Sequence, residues 1–194
     1  MEGKDKVFPA IQVNLFADID AFIVSWDSLF EIDEEYEYYL EHRYDSKITE
    51  TQLLRLFEWF NRGPLVGEQL ATFTSDVAGR LGIINEVKET QEFIVMYEQM
   101  WDLKPVWFSF LMHLVGVGPI FDENIWRAYR YINTAEILEF PTDKEEQEIE
   151  YGDYSCFYWE KAEKLNYKYT DEMWDNALWM LGKFLKEYPG LFLS

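Results

Sequence analysis

Asp122 stands in the stretch GPIFDENIWRAYRYI, Gly118 to Ile132, where a Gly-Pro turn runs through an apolar pair into a helical pattern. A carboxylate in that setting has two chemical uses. It can cap the helix, accepting from first-turn N–H groups and interacting favourably with the dipole. It can also stabilise positive charge on a reacting centre or activate a water molecule. The residues leave both uses open. Eighteen positions earlier lies Lys104, whose amine attacks an electrophilic carbon only when burial or a cationic neighbour strips its proton. Asp102, two residues away, would instead favour the charged form, so a surface or phosphate-contact role competes with nucleophilic attack. Gly116 and Gly118 form a Gly-Val-Gly that either aims backbone N–H groups at a phosphate or ends a helix. Arg127 and Arg130 sit three apart on the helix that Asp122 opens, and share a face that reaches phosphate or pairs with nearby acids.

Other chemistries have less to work with. Two histidines, His42 and His113, and one cysteine, Cys156, cannot build the usual nitrogen and sulfur metal clusters. His113 falls in an apolar helix and reads as a core histidine rather than a triad base. No phosphate loop is present, and no cofactor is called for. The lone cysteine excludes an internal disulfide and points to a reducing, cytoplasmic setting.

The elements that must position these groups read as helices, because apolar residues recur at helical spacing almost throughout. Thr49 or Thr51 caps a helix carrying Leu53, Leu54, Leu56, Phe57 and Phe60 that ends at NRGP. A second spans about Val66 to Arg80, and a third follows Gly82 with Ile83, Ile84, Val87, Phe93, Ile94 and Tyr97. PVWFSFLMHL predicts a buried helix with proline in its first turn. The acidic TDKEEQEIEYGD is a solvated helix start or loop. Asp171 caps a last helix with Trp174, Ala177, Leu178, Leu181 and Leu185 on one face. The expectation is one all-α domain over residues 1–194, a compact helical bundle with room for two lobes. Residues 1–16 form an N-terminal arm, 49–133 the central helices and 143–188 the C-terminal helices.

The chain is 48% hydrophobic and 19% aromatic, with 8 Trp, 13 Tyr and 15 Phe, which excludes wholesale disorder. Its net charge of -20 repels a phosphate backbone, so any DNA contact must be local. The acid is uneven. From Glu31 to Glu50 eight acids face two bases, and from Glu136 to Asp153 eight face one. Between Lys104 and Ile132 the balance turns slightly positive. The most apolar run, Pro105 to Phe121, is too short and too interrupted for a membrane span, so no membrane partner is expected.

FADIDAF, Phe16 to Phe22, resembles the Asp-x-Asp-Ala-Phe strand of lesion-bypass polymerases, although the chain is too short for a polymerase and a helix cap by Asp18 or Asp20 is the plainer reading. A longer resemblance centres on Asp122. PIFDENIWRA is similar to the segment holding the catalytic aspartate of the helix-hairpin-helix DNA glycosylases, which in the adenine glycosylases reads Pro-Ile-Leu-Asp-x-Asn-Val-x-Arg. Pro119, Ile120, Asp122, Asn124, Ile125 and Arg127 match. LLRLFEWFNRGPL, PIFDENIWRAYRYI and DNALWMLGKFL also resemble segments of a group of small bacterial proteins of this type, so the likeness extends from about Leu53 to Leu185. It implies a helix-hairpin-helix fold, Asp122 as catalytic carboxylate and Lys104 at the position of a Schiff-base lysine. It further implies DNA contact through Arg127, Arg130, Gly116 and Gly118, and a base pocket drawing on Trp101, Trp107 and Trp126. Two registers stand. Either the hairpin is rebuilt around Trp101 to Pro105, or Gly116 to Gly118 is the hairpin and Asp122 is not catalytic. The implied activity is base excision with weak lyase activity. The alternative from charge is a non-catalytic acidic module that mimics DNA and occupies a basic nucleic-acid-binding protein.

Overall fold

Thr49 begins the clearest case of local sequence dictating structure. Its backbone is extended, its side chain accepts from the Gln52 N–H, and Gln52 returns a bond to the Thr49 N–H, a reciprocal capping box opening the helix Glu50–Phe60. Leu53, Leu56 and Phe57 then fall on one buried face at three- and four-residue spacing. The computed structural model describes residues 19–191. Among them the regular elements are all helical, with no strand, so the fold is all-α. In chain order the α-helices are α1 Ile19–Asp27, α2 Glu34–Arg43, α3 Glu50–Phe60, α4 Glu68–Thr72, α5 Leu81–Thr90, α6 Phe93–Met100, α7 Pro105–Leu114, α8 Glu123–Thr134, α9 Lys144–Lys164 and α10 Asp171–Glu187.

These helices fall into two compact units. One holds residues 31–122 and 141–161. In it, Phe57 is the aromatic hub, meeting Phe73, Trp107 and Phe110 edge-on at 5.0–5.3 Å. Phe60 stacks on Phe110 at 4.4 Å, and Tyr39 of α2 stacks on Trp59. α7 is buried along nearly its whole length, as its uniformly apolar sequence requires. The three C-terminal ends of α2, α5 and α7 converge on Lys88, whose Nζ donates to the carbonyls of His42, Arg43 and Leu114 at 2.7–3.2 Å. An ammonium satisfies helix-end carbonyls and suits the negative end of the dipole. Burial nonetheless pushes its pKa down to about 8, with Asp45 opposing and Arg43 adding to the fall.

The other unit comprises the described residues of 19–30, 123–140 and 162–191, and is built on α10. α1 packs on it through Phe22 against Trp174 and Trp26 against Phe184. α8 packs on it at Gly182, where any β-carbon would overlap the Asn124 carbonyl. Only glycine permits that approach.

Several boundaries differ from expectation. The helix expected from about Val66 to Arg80 is α4, a π-helical turn at Phe73–Val77 and a 3-10 turn at Ala78–Arg80 leading into α5. The single helix expected after Gly82 is two, α5 and α6, because Gln91 adopts φ 59. Its side chain rewards that strained backbone by donating to the Lys88 and Val115 carbonyls, closing α5 and α7 together. The acidic run before Gly152 takes the first of its two expected forms, as the start of α9, with Tyr154 and Tyr158 the buried residues. Thr170, rather than Asp171, caps α10 by accepting from Met173 N, and Asp171 occupies the first turn. Ile19 to Phe22 of FADIDAF is helical, not a strand, and Asp20 pairs with Lys168 at 2.7 Å. Phe16 to Asp18, like the arm 1–16, lie outside the described residues.

Candidate functional site

α3 ends at Asn61, and the chain there takes a turn normally given to glycine. Gly63 N–H reaches back to the Glu58 carbonyl and Arg62 N–H to the Trp59 carbonyl, both at 2.9 Å, with Arg62 at φ 58. This is a Schellman closure whose left-handed position holds arginine although a glycine stands next to it. A bulky side chain there carries backbone strain. The turn brings the Arg62 guanidinium to 3.8 Å from the Asp122 carboxylate. Arg62 is well exposed, and the Asp122 side chain keeps 18% of its surface open.

Asp122 is held by its neighbour. The Phe121 carbonyl accepts from Ser109 Oγ of α7 at 3.1 Å, and the Phe121 ring is fully buried against Tyr151 and Tyr154 of α9. α8 begins at the next residue, Glu123, so Asp122 stands directly before a helix start. Lys104 is exposed at the entry to α7, its carbonyl accepting from Phe108 N. It stands five residues before Ser109, about 7.5 Å along the helix axis. Asp102, the neighbour thought to bias Lys104, is instead gripped by Arg80 through two bonds of 2.6 and 2.8 Å. Those bonds hold its carboxyl below the usual range.

The Gly-Val-Gly stretch closes a helix. Gly116 has φ 80, its N–H bonds the His113 carbonyl, and Val117 N–H bonds the Met112 carbonyl, a second Schellman closure. Gly118 is tight for another reason. A β-carbon there would come 3.1 Å from the Tyr151 hydroxyl. His113 is buried and stacked on Tyr39. Burial and then the nearby Arg43 push its pKa well below the usual value, against a smaller opposing contact with the Gly118 backbone, so it is neutral at pH 7.

The other expected contacts scatter. Arg127 is buried, not displayed for phosphate. Its guanidinium bonds Glu123 at 2.5 Å, Asn124 at 3.3 Å and the Gly182 carbonyl at 3.5 Å. Lys186 also bonds Glu123. Burial raises the Glu123 carboxyl, but the bonds from Lys186 and Arg127 outweigh it and hold the group below its usual range. Arg130 on α8 is half-buried. Trp107 and Trp126 are core residues, packed edge-on against Phe57 and Phe140 respectively. Trp101 alone of the three is exposed. It lines a groove of about 350 Å³ between α6, α7 and α9, together with Gly118 but without Asp122. Among the described residues no group of three or more His, Cys, Asp or Glu side chains could hold a metal ion, and no helix is long and apolar enough to cross a membrane.

Arg62 and Ser109 were missed by motif reading. The signal for Arg62 was a non-glycine before glycine in NRGP, at a helix end needing a left-handed residue. Ser109 offered none, since a lone serine in an apolar helix is usually bonded to its own backbone, as it also is here through Val106.

No protein-family model, curated protein or solved structure matches this chain.

Proposed function

We propose that the chain is a DNA glycosylase-like protein that engages a modified or mismatched base turned out of its stack, with Asp122 as the acting carboxylate. One observation carries the reading. LLRLFEWFNRGPL and PIFDENIWRAYRYI both belong to the glycosylase resemblance, and Arg62 of the first meets Asp122 of the second across 3.8 Å. Breaking the bond between base and sugar builds positive charge on the sugar ring. A partly open carboxylate beside that carbon stabilises the charge or takes a proton from the incoming water, while the base departs with the bonding pair. Arg62 supplies a cation at the rim that suits a phosphate next to the extruded nucleotide. Lys104, exposed and without the Asp102 contact, serves as a phosphate contact rather than a nucleophile.

The test is single-turnover base release from labelled oligonucleotides carrying a panel of damaged or mismatched bases. Asp122→Asn should slow release by about 10²–10⁴-fold with unchanged thermal stability. An equal rate in the variant, or no release by the parent on any substrate, overturns the reading.

A second reading is favoured by the net charge of -20 and by Arg127 turning inward onto Glu123. In it the chain is a non-catalytic acidic module that occupies the nucleic-acid groove of a basic protein. Salt-sensitive capture of such a partner, with no DNA binding even in dilute buffer, distinguishes it.

A further inference from the structure

The groove between α6, α7 and α9 has large aromatic side chains at its surface. Phe93, Tyr97, Trp101 and Trp159 line it and are 49%, 53%, 59% and 44% exposed. The rings continue across its floor. Phe93 stacks on Tyr97, Tyr97 meets Phe108 edge-on at 6.1 Å, and Phe108 meets Tyr151 edge-on at 6.1 Å. Large apolar surface left open in one place marks an interaction site. Its volume of about 350 Å³ falls in the range of ligand pockets.

Charge selects the occupant. Glu148 is the one charged residue lining the groove. From Lys144 to Lys161, α9 carries six acids against two lysines, and α6 carries Glu98 and is flanked by Glu92 and Asp102. Lys144 is committed to Glu148 at 3.5 Å and to the Asp102 carbonyl at 3.0 Å, and Asp102 is committed to Arg80. The surroundings therefore repel nucleic acid and attract cations. We propose that this groove docks a basic segment of a partner protein, with arginine or lysine over the aromatic faces and at Glu148, and interleaved apolar side chains on the ring floor. Cations gain from ring faces, and more so when partly desolvated. The inference is separable from the Asp122 reading, because Asp122 does not line the groove.

The experiment titrates the full chain into a fluorescent synthetic peptide alternating arginine and leucine, read by anisotropy at several salt concentrations, with a glutamate-leucine peptide and a single-stranded oligonucleotide as comparators. The arginine peptide should bind and weaken as salt rises. Trp101→Ala and Trp159→Ala should each weaken it about tenfold with helicity retained, and Glu148→Gln about threefold. No binding of the arginine peptide, equal binding of the glutamate peptide, oligonucleotide binding that is lost in Trp101→Ala, or unchanged affinity in both tryptophan variants overturns the proposal. So does self-association of the chain that is lost in Trp101→Ala, since the face would then serve a second copy.

Discussion

At the scale of single residues, Arg62 is the most informative. A left-handed backbone costs a β-carbon-bearing residue of order 1 kcal/mol, and Arg62 holds φ 58. The side chain reaches Asp122, so the strain sits where a function would be placed. Arg62→Gly should therefore stabilise the fold by about 1 kcal/mol while weakening DNA engagement, a stability and function trade-off. Chemical denaturation checks the first half and oligonucleotide binding the second. An ion pair at 3.8 Å whose arginine is well exposed adds little stability of its own, which is why its loss should not cancel the gain. Arg127 carries the opposite lesson. Its place in the Asp122 match implied DNA contact, yet its burial and its bonds to Glu123 and Gly182 make it part of the packing of α8.

At the scale of elements, packing of α8 on α10 rests on one missing methyl group. The β-carbon of an alanine at Gly182 would occupy the space of the Asn124 backbone carbonyl, which no rotamer change can relieve. Gly182→Ala should cost about 3 kcal/mol or more, with α8 and α10 forced apart, against the slight gain alanine gives in an unconstrained helix. A thermal melt of the variant decides between these signs. Helix ends follow the same logic of local need. Lys88 and Gln91 tie three C-termini together with side-chain donors, so long-range contacts join the local closures at Gln91 and Gly116. Sequence patterns located α3, α7, α8 and α10 well, because each has a period, a cap or a proline that acts within a few residues. They missed the break at Gln91, whose left-handed backbone is rewarded by a carbonyl twenty-four residues away.

At the scale of the whole molecule, charge dominates. A net charge of -20 on 194 residues opposes compaction by self-repulsion, and mobile ions screen it. Raising salt from dilute buffer to about 0.15 M, where the screening length is about 8 Å, should increase stability, read as a higher urea midpoint. A midpoint that falls with salt would mean that the ion pairs Arg80–Asp102 and Arg55–Glu35 outweigh the repulsion. The same field would favour a basic protein segment at the proposed α6–α9 groove over a nucleic acid.

The amino-acid sequence alone determined the all-α class, the main helices, the acidic surface and the prominence of Asp122, because periodicity, composition and a short motif are properties of neighbouring residues. Tertiary structure alone decided which of the named side chains share a place. It buried Trp107, Trp126 and Arg127, gave Asp102 to Arg80, turned the Gly-Val-Gly stretch into a helix closure, and set Arg62 beside Asp122. The physical reason is that exposure and pairing depend on which helix faces meet. That choice is made by residues tens of positions apart, such as Gly182 against Asn124 and Ser109 against Phe121.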